Sequence, residues 1–256
     1  MAKKKKSSSK NIIPLLTILL VISLSLFVYI EWATANKAKL NPQKTQESLV
    51  QVVKPINLPK PNLSSRSSIE SVLNSRRTAR NFTEKLLTQK LIGQMLWAGQ
   101  GVTADWGGRT TPSAKSAYPL TLYLVANKVA DLNPGLYRYI PGEHEMLHQL
   151  ILVKPGDLKA VTGETIGQNA AKEAPVVFFI TGDMEKMAKV FDGRRVDNNV
   201  YLEAGHAAQN MYLQAESLKL GMVALPNFDQ ANVRALFSIP ANETLIYLIP
   251  FGTPKE

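Results

Sequence analysis

The first strong signal along the chain is an uninterrupted uncharged run over residues 12–30. Its 19 residues, as a helix, reach about 28 Å, close to the hydrocarbon thickness of a bilayer. Pro14 falls in the first turn, where a missing N–H costs little. Tyr29 and Trp32 lie at the far end, where aromatic rings suit a membrane interface. The pattern predicts a transmembrane anchor over residues 12–30, longer than the apolar region of a cleaved signal peptide, although Ala33-Thr34-Ala35 has the form of a cleavage site. Residues 31–65 read as a linker, with prolines at 42, 55, 59 and 61 spaced for an extended stalk. A globular pattern fills residues 66–256. Ser68 is placed to cap a helix over Ile69, Val72 and Leu73 that runs on to Arg80. Thr88 is placed to cap a second, with Leu91, Ile92, Met95 and Leu96 on one face. A polar loop over residues 99–119 follows. Strands are predicted over 121–126 and 135–140, then a Pro141-Gly142 turn and a returning strand over 144–150. Residues 174–180 read as a buried strand. A long helix over 202–219 carries an alanine-rich face and is expected to stop at Gly221. Strands over 222–225 and 244–250 flank a helix over 230–237. The elements mix without strict βαβ alternation, which predicts an α+β fold with an antiparallel or mixed sheet flanked by helices.

Charge sharpens the division of the chain. Of the formal net charge of +10, residues 1–60 hold +8, from ten lysines against Glu31 and Glu47. The basicity therefore belongs to residues 1–11 and the linker. By the positive-inside rule, Lys3–Lys6 and Lys10 keep the tail cytoplasmic and place the domain on the extracytoplasmic side. The rest of the chain has no concentrated basic stripe, so a nucleic-acid partner is not expected. The absence of cysteine excludes disulfides, thiolate metal sites and cysteine nucleophiles.

Several motifs are discarded. Gly99-Gln-Gly101-Val-Thr-Ala104 follows a helical pattern rather than a strand, so it lacks the context of a dinucleotide fingerprint. His144 and His148, beside Glu143 and Glu145, sit in a predicted hairpin without a third ligand set and read as solvated residues, and no metal site is expected. Three clusters remain. Arg76-Arg77-Thr78-Ala79-Arg80 concentrates guanidinium groups, whose planar donor forks suit phosphate oxygens. Arg109 to Pro119 offers small residues and backbone N–H groups to a flat ligand. Glu203-Ala-Gly-His206 places two titratable groups three residues apart on the long helix. That spacing suits either a dyad or a buried, satisfied histidine in a packing helix.

Taken in order, the clusters resemble the nitroreductase-like flavoprotein superfamily, with the SagB-type dehydrogenase branch as the nearest pattern. The resemblance covers about residues 66–253. It rests on Arg76-Arg77-Thr78-Ala79-Arg80, Leu96-Trp97-Ala98-Gly99-Gln100-Gly101, Arg109 to Pro119, Gly135-Leu-Tyr-Arg-Tyr139, Leu202 to Asn210, and Leu245 to Gly252. It implies FMN as cofactor, bound at the interface of a homodimer built around the long helix, and hydride transfer to or from a small organic substrate. The sequence names no electron donor. Arg76, Arg77 and Arg80, with Thr78 for the usual serine, would hold the phosphate and the pyrimidine edge. Pro112, Ser113 and Ala114 would lie against the ring, with Gln168 and the segment Leu225, Pro226 and Asn227 beside it. Three departures stand out. Lys115 replaces a glycine. Pro226 lacks the N–H that relatives direct at the flavin, a role that passes to Asn227. Thr253 stands where a basic residue is usual, with Lys255 as the substitute. These departures motivate an alternative: a flavin-binding or scaffold dimer of the same fold with weakened catalysis.

Overall fold

The computed structural model describes residues 24–33, 54–142 and 147–255. The chain forms two compact units, Met1–Val53 and Lys54–Glu256. In the first, residues 24–33 are helical. Residues 12–23, most of the predicted anchor, lie outside the described residues. Among the described residues no helix is long and apolar enough to cross a membrane.

The second unit is built on a seven-stranded antiparallel sheet. Its strands are β1 (Ile56–Asn57), β3 (Leu120–Ala126), β5 (Gly135–Ile140), β6 (Gln149–Pro155), β7 (Val176–Asp183), β8 (Gly221–Met222) and β9 (Glu243–Gly252), in the order β1-β6-β5-β3-β7-β9-β8. A small parallel pair, β2 (Leu87–Thr88) and β4 (Val129–Ala130), stands beside it. The helices are α1 (Ile69–Ser75), α2 (Gln89–Gln100), α3 (Lys159–Ile166), α4 (Asn169–Glu173), α5 (Met184–Lys189), α6 (Asp197–Ser217) and α7 (Gln230–Phe237).

Strand β7 explains why the sheet is central. Its side chains alternate between two cores, so both faces need apolar residues and the sequence reads as one hydrophobic run. Val176, Phe178 and Ile180 join the core under α2 and α6. Val177 and Phe179 join the core under α3, α4 and α7, where Phe179 meets Phe237 edge-on at 4.8 Å. Asp229 caps α7 by accepting the Asn232 N–H at 2.9 Å. Asp229→Ala should therefore cost about 1 kcal/mol, read as a lower urea midpoint with an unchanged slope.

Four expectations are corrected. The compact unit begins before residue 66: β1 pairs with β6, and the Gln94 side chain holds the Asn62 backbone N–H (2.7 Å) and carbonyl (3.0 Å). Helix α6 starts at Asp197 rather than 202, and it ends through Lys219, whose φ is 58°, not through Gly221. Gly221 instead lies in β8, where a Cβ would stand 2.5 Å from that of Ala79, so only glycine lets the two segments approach. The returning strand starts at Gln149, not residue 144; His144 lies outside the described residues. His148 is buried rather than solvated. Its ring bonds the Tyr139 hydroxyl (3.0 Å) and the Pro59 carbonyl (2.9 Å), and burial holds its pKa below the ordinary value.

Candidate functional site

The arginine cluster is not helical. Helix α1 stops at Ser75 because Arg76 turns to an extended ψ of 124°. From there the Ala79 N–H donates to the Met222 carbonyl at 3.1 Å, which draws the segment along β8. Tertiary pairing thus overrides the helical spacing, and the extended backbone fans the guanidiniums apart. Arg76 stacks on Tyr212 of α6 at 5.0 Å. Arg77, Thr78 and Arg80 open onto a cavity of about 310 Å³. Lys255 lines the same cavity, positioned by Glu173 at 2.8 Å. The backbone fixes it there: the Lys255 N–H donates to the Asn81 carbonyl, and the Thr253 carbonyl accepts from Thr83.

Helix α6 organises the clusters. Glu203 and Asn210 are seven residues apart, two turns, and so share a face. Glu203 accepts from the Ser113 hydroxyl at 2.5 Å, and the Asn210 amide donates to the Thr110 carbonyl at 3.0 Å. On another face, Tyr212 carries Arg76, its hydroxyl accepts the Ala224 N–H at 3.0 Å, and Glu216 accepts from Ser75 at 2.7 Å. One helix therefore touches the loop containing Ser113, the arginine segment and the strand leading to Leu225.

The Ser113 loop is strained. Lys115, Ser116 and Tyr118 all have positive φ, a conformation that costs non-glycine residues and collects at functional sites. It is held by the Tyr118 N–H donating to Ser113 Oγ (2.9 Å) and by the Arg109 N–H donating to the Tyr118 hydroxyl (3.2 Å). The Lys115 ammonium does not stand over the loop: it donates to the Val190 carbonyl at 2.8 Å and sits over the Phe191 ring. Pro112 is exposed, and Ser113 and Ala114 are half-buried.

Glu203, 2% exposed, is the residue whose role the sequence did not disclose. Burial pushes its carboxyl from 4.5 up to about 7, against the lowering influence of the Ser113 hydrogen bond and the nearby Arg109. Its Oε1 has no hydrogen-bond partner. The expected pairing with His206 is absent, because His206 points to solvent while Glu203 points inward. The seven-residue repeat of polar groups within an alanine-rich helix was the available signal for both Glu203 and Asn210.

Leu225 is tied to Leu248 by backbone hydrogen bonds in both directions. The Asn227 carbonyl accepts the Gln168 amide at 3.2 Å, which joins two of the predicted contacts. Pro226 and Asn227 are exposed. No direct contact links this group, or the arginines, to Ser113; Glu203 and Tyr212 are separated by about 14 Å along the helix axis.

The nitroreductase family model matches residues 73–253, nearly the whole second unit. The chain belongs to the nitroreductase family. A protein of Methanocaldococcus jannaschii named as a nitroreductase is 33% identical over 193 residues, covering 73% of this chain and 92% of that protein. A crystal structure described as a nitroreductase from Ralstonia eutropha JMP134 is 25% identical, with a TM-score of 0.67 over 81% of this chain and 93% of the other. A chain of the E. coli microcin synthetase complex shares the fold, with a TM-score of 0.58 at 18% identity over 84% of this chain and 83% of its own. Nitroreductase family members are oxidoreductases that generally use a flavin, and membership assigns this chain to that class. The α+β expectation agrees with the family fold.

Proposed function

We propose that this nitroreductase family protein is an FMN-dependent oxidoreductase that acts on a small organic substrate as a homodimer. The observation that carries the reading is the cavity at Arg77, Thr78, Arg80 and Lys255. Guanidinium forks beside an ammonium form a donor set suited to a phosphate group, with Glu216 the only carboxylate in its lining. The residues present therefore fit the phosphate end of FMN. When bound, FMN supplies the hydride chemistry, and the protein binds, orients and tunes it. Pro112, Ser113 and Ala114 would support the ring, with Glu203 holding a proton at Ser113 Oγ. Gln168 and Leu225 to Asn227 would border the ring, with the exposed Asn227 N–H taking the place of the one Pro226 lacks.

Dimerisation is supported by an open groove of about 600 Å³ between α1, α2 and α6. Leu63 and Ile69 line it with more than half of their surface exposed, an apolar patch suited to a second copy. The uncharged run and preceding lysines support tethering to a membrane with the domain on the extracytoplasmic side. The scaffold alternative is favoured by Pro226 alone, since Lys115 is docked away from the loop.

The test is a visible absorption spectrum of the full-length chain after FMN is added and the protein desalted. Retained flavin bands are expected. A colourless protein that remains folded and dimeric would overturn the enzyme reading and leave the scaffold one.

A further inference from the structure

A separate cavity of about 210 Å³ lies where the start of β3, the end of β5 and α5 meet. Its walls carry three cations, Arg109, Arg138 and Lys186, and two carboxylates, Asp183 and Glu243. Both acids are already engaged. Glu243 accepts from the Tyr123 hydroxyl at 3.1 Å and from Thr181 Oγ1. Asp183 accepts from the Lys186 N–H at 2.8 Å and from the Asn242 amide at 2.8 Å.

The cations are not engaged in the same way. Among the described residues none of the three forms a salt bridge, and Arg138 makes no hydrogen bond. The Lys186 ammonium donates only to the Tyr118 carbonyl, at 2.8 Å. Arg109 Nη1 donates to Gln100 Oε1 at 2.8 Å and the guanidinium stacks on Tyr118, but its Nε is buried without a partner. Gln100, 1% exposed, also has an unpartnered Nε2. A buried donor left unpaired costs about 1–3 kcal/mol, so two at one cavity wall call for an acceptor.

We propose that this cavity binds a small organic monocarboxylate, whose oxygens are taken by the Arg109 and Arg138 guanidiniums, the Lys186 ammonium and the Gln100 amide. Three positive groups against two negative leave a single excess charge, which a monoanion neutralises and a dianion overshoots. The volume equals about seven waters at roughly 30 Å³ each, room for a carboxylate on a short body and too little for a nucleotide. Burial, then the like charges of Arg109 and Arg138, disfavour the Lys186 ammonium, and a bound anion offsets that repulsion. The site connects to the Ser113 loop through Arg109 and Tyr118.

The test is a ligand-observed NMR titration of the full-length chain with sodium isobutyrate at constant ionic strength. Saturable binding at one site per chain is expected. It should weaken at least about tenfold in Arg138→Ala and in Lys186→Gln, since charge-assisted contacts dominate such sites. Arg138 is exposed and bonds to no described residue, so its replacement leaves the fold intact, as near-UV circular dichroism checks. The Arg77→Ala/Arg80→Ala pair, at the other cavity, should leave isobutyrate binding unchanged. Absent saturation, equal affinity in Arg138→Ala, or tighter competition by inorganic phosphate would each overturn the assignment.

Discussion

Protein carrying both Arg77→Ala and Arg80→Ala is expected to lose at least about a hundredfold of its affinity for FMN while keeping its fold. Hydrogen bonds to a charged group contribute about 1.5–3 kcal/mol each, and every 1.4 kcal/mol is a factor of ten, so two lost guanidiniums suffice. The fold should survive because both side chains are exposed and lie on an extended segment held through its backbone at Ala79. Flavin fluorescence quenching would give the affinity, and the unfolding midpoint without FMN would give the stability. A variant that binds FMN as tightly as wild type would move the phosphate away from this cavity. Arg76 is left in place because its stacking on Tyr212 is part of how α6 holds the segment.

Glu203→Gln should remove a pH dependence of stability that wild type carries between about pH 4.5 and 7. The folded-state carboxyl titrates near 7, above its ordinary 4.5, so across that interval the native state holds a proton that the unfolded chain has released. Stability from this group is therefore complete below 4.5 and is lost as pH rises through 7. A shift of that size corresponds to no more than about 3 kcal/mol, at 1.36 kcal/mol per pKa unit. Gln keeps the shape but cannot ionise. Urea unfolding of both proteins at several pH values is the measurement. Parallel curves for wild type and variant would show that Glu203 titrates as an ordinary carboxyl.

Much of the fold was legible because its signals are local. Strands β3, β5 and β7 announce themselves as apolar or alternating runs, and α2 and α7 by Thr88 and Asp229 at their starts. What stayed hidden depends on partners distant in sequence. Residues 76–80 have helical spacing, and only the Ala79–Met222 hydrogen bond shows why they extend. The burial of His148 follows from Tyr139 and Pro59, and that of Glu203 from Ser113, none of them adjacent. The polar start of α6, Asp197 to Tyr201, lacks the alanine stripe that marks the rest of the helix. At the candidate site, the arginines and the Ser113 loop were readable as chemistry. Their assembly along one helix was not, because it is set by the side-chain contacts of Asn210, Tyr212 and Glu216.

The sheet begins and ends in strands of two residues, β1 and β8. Next to β1, the far part of β6 presents Lys154 and Pro155 along its margin. Short terminal strands, lysine and proline are means by which proteins discourage strand-to-strand recruitment of further chains. Self-association by lengthening the sheet is thereby closed off. A second copy is left with the helical faces as its route of approach, so any assembly of this protein should be finite and symmetric rather than fibrous.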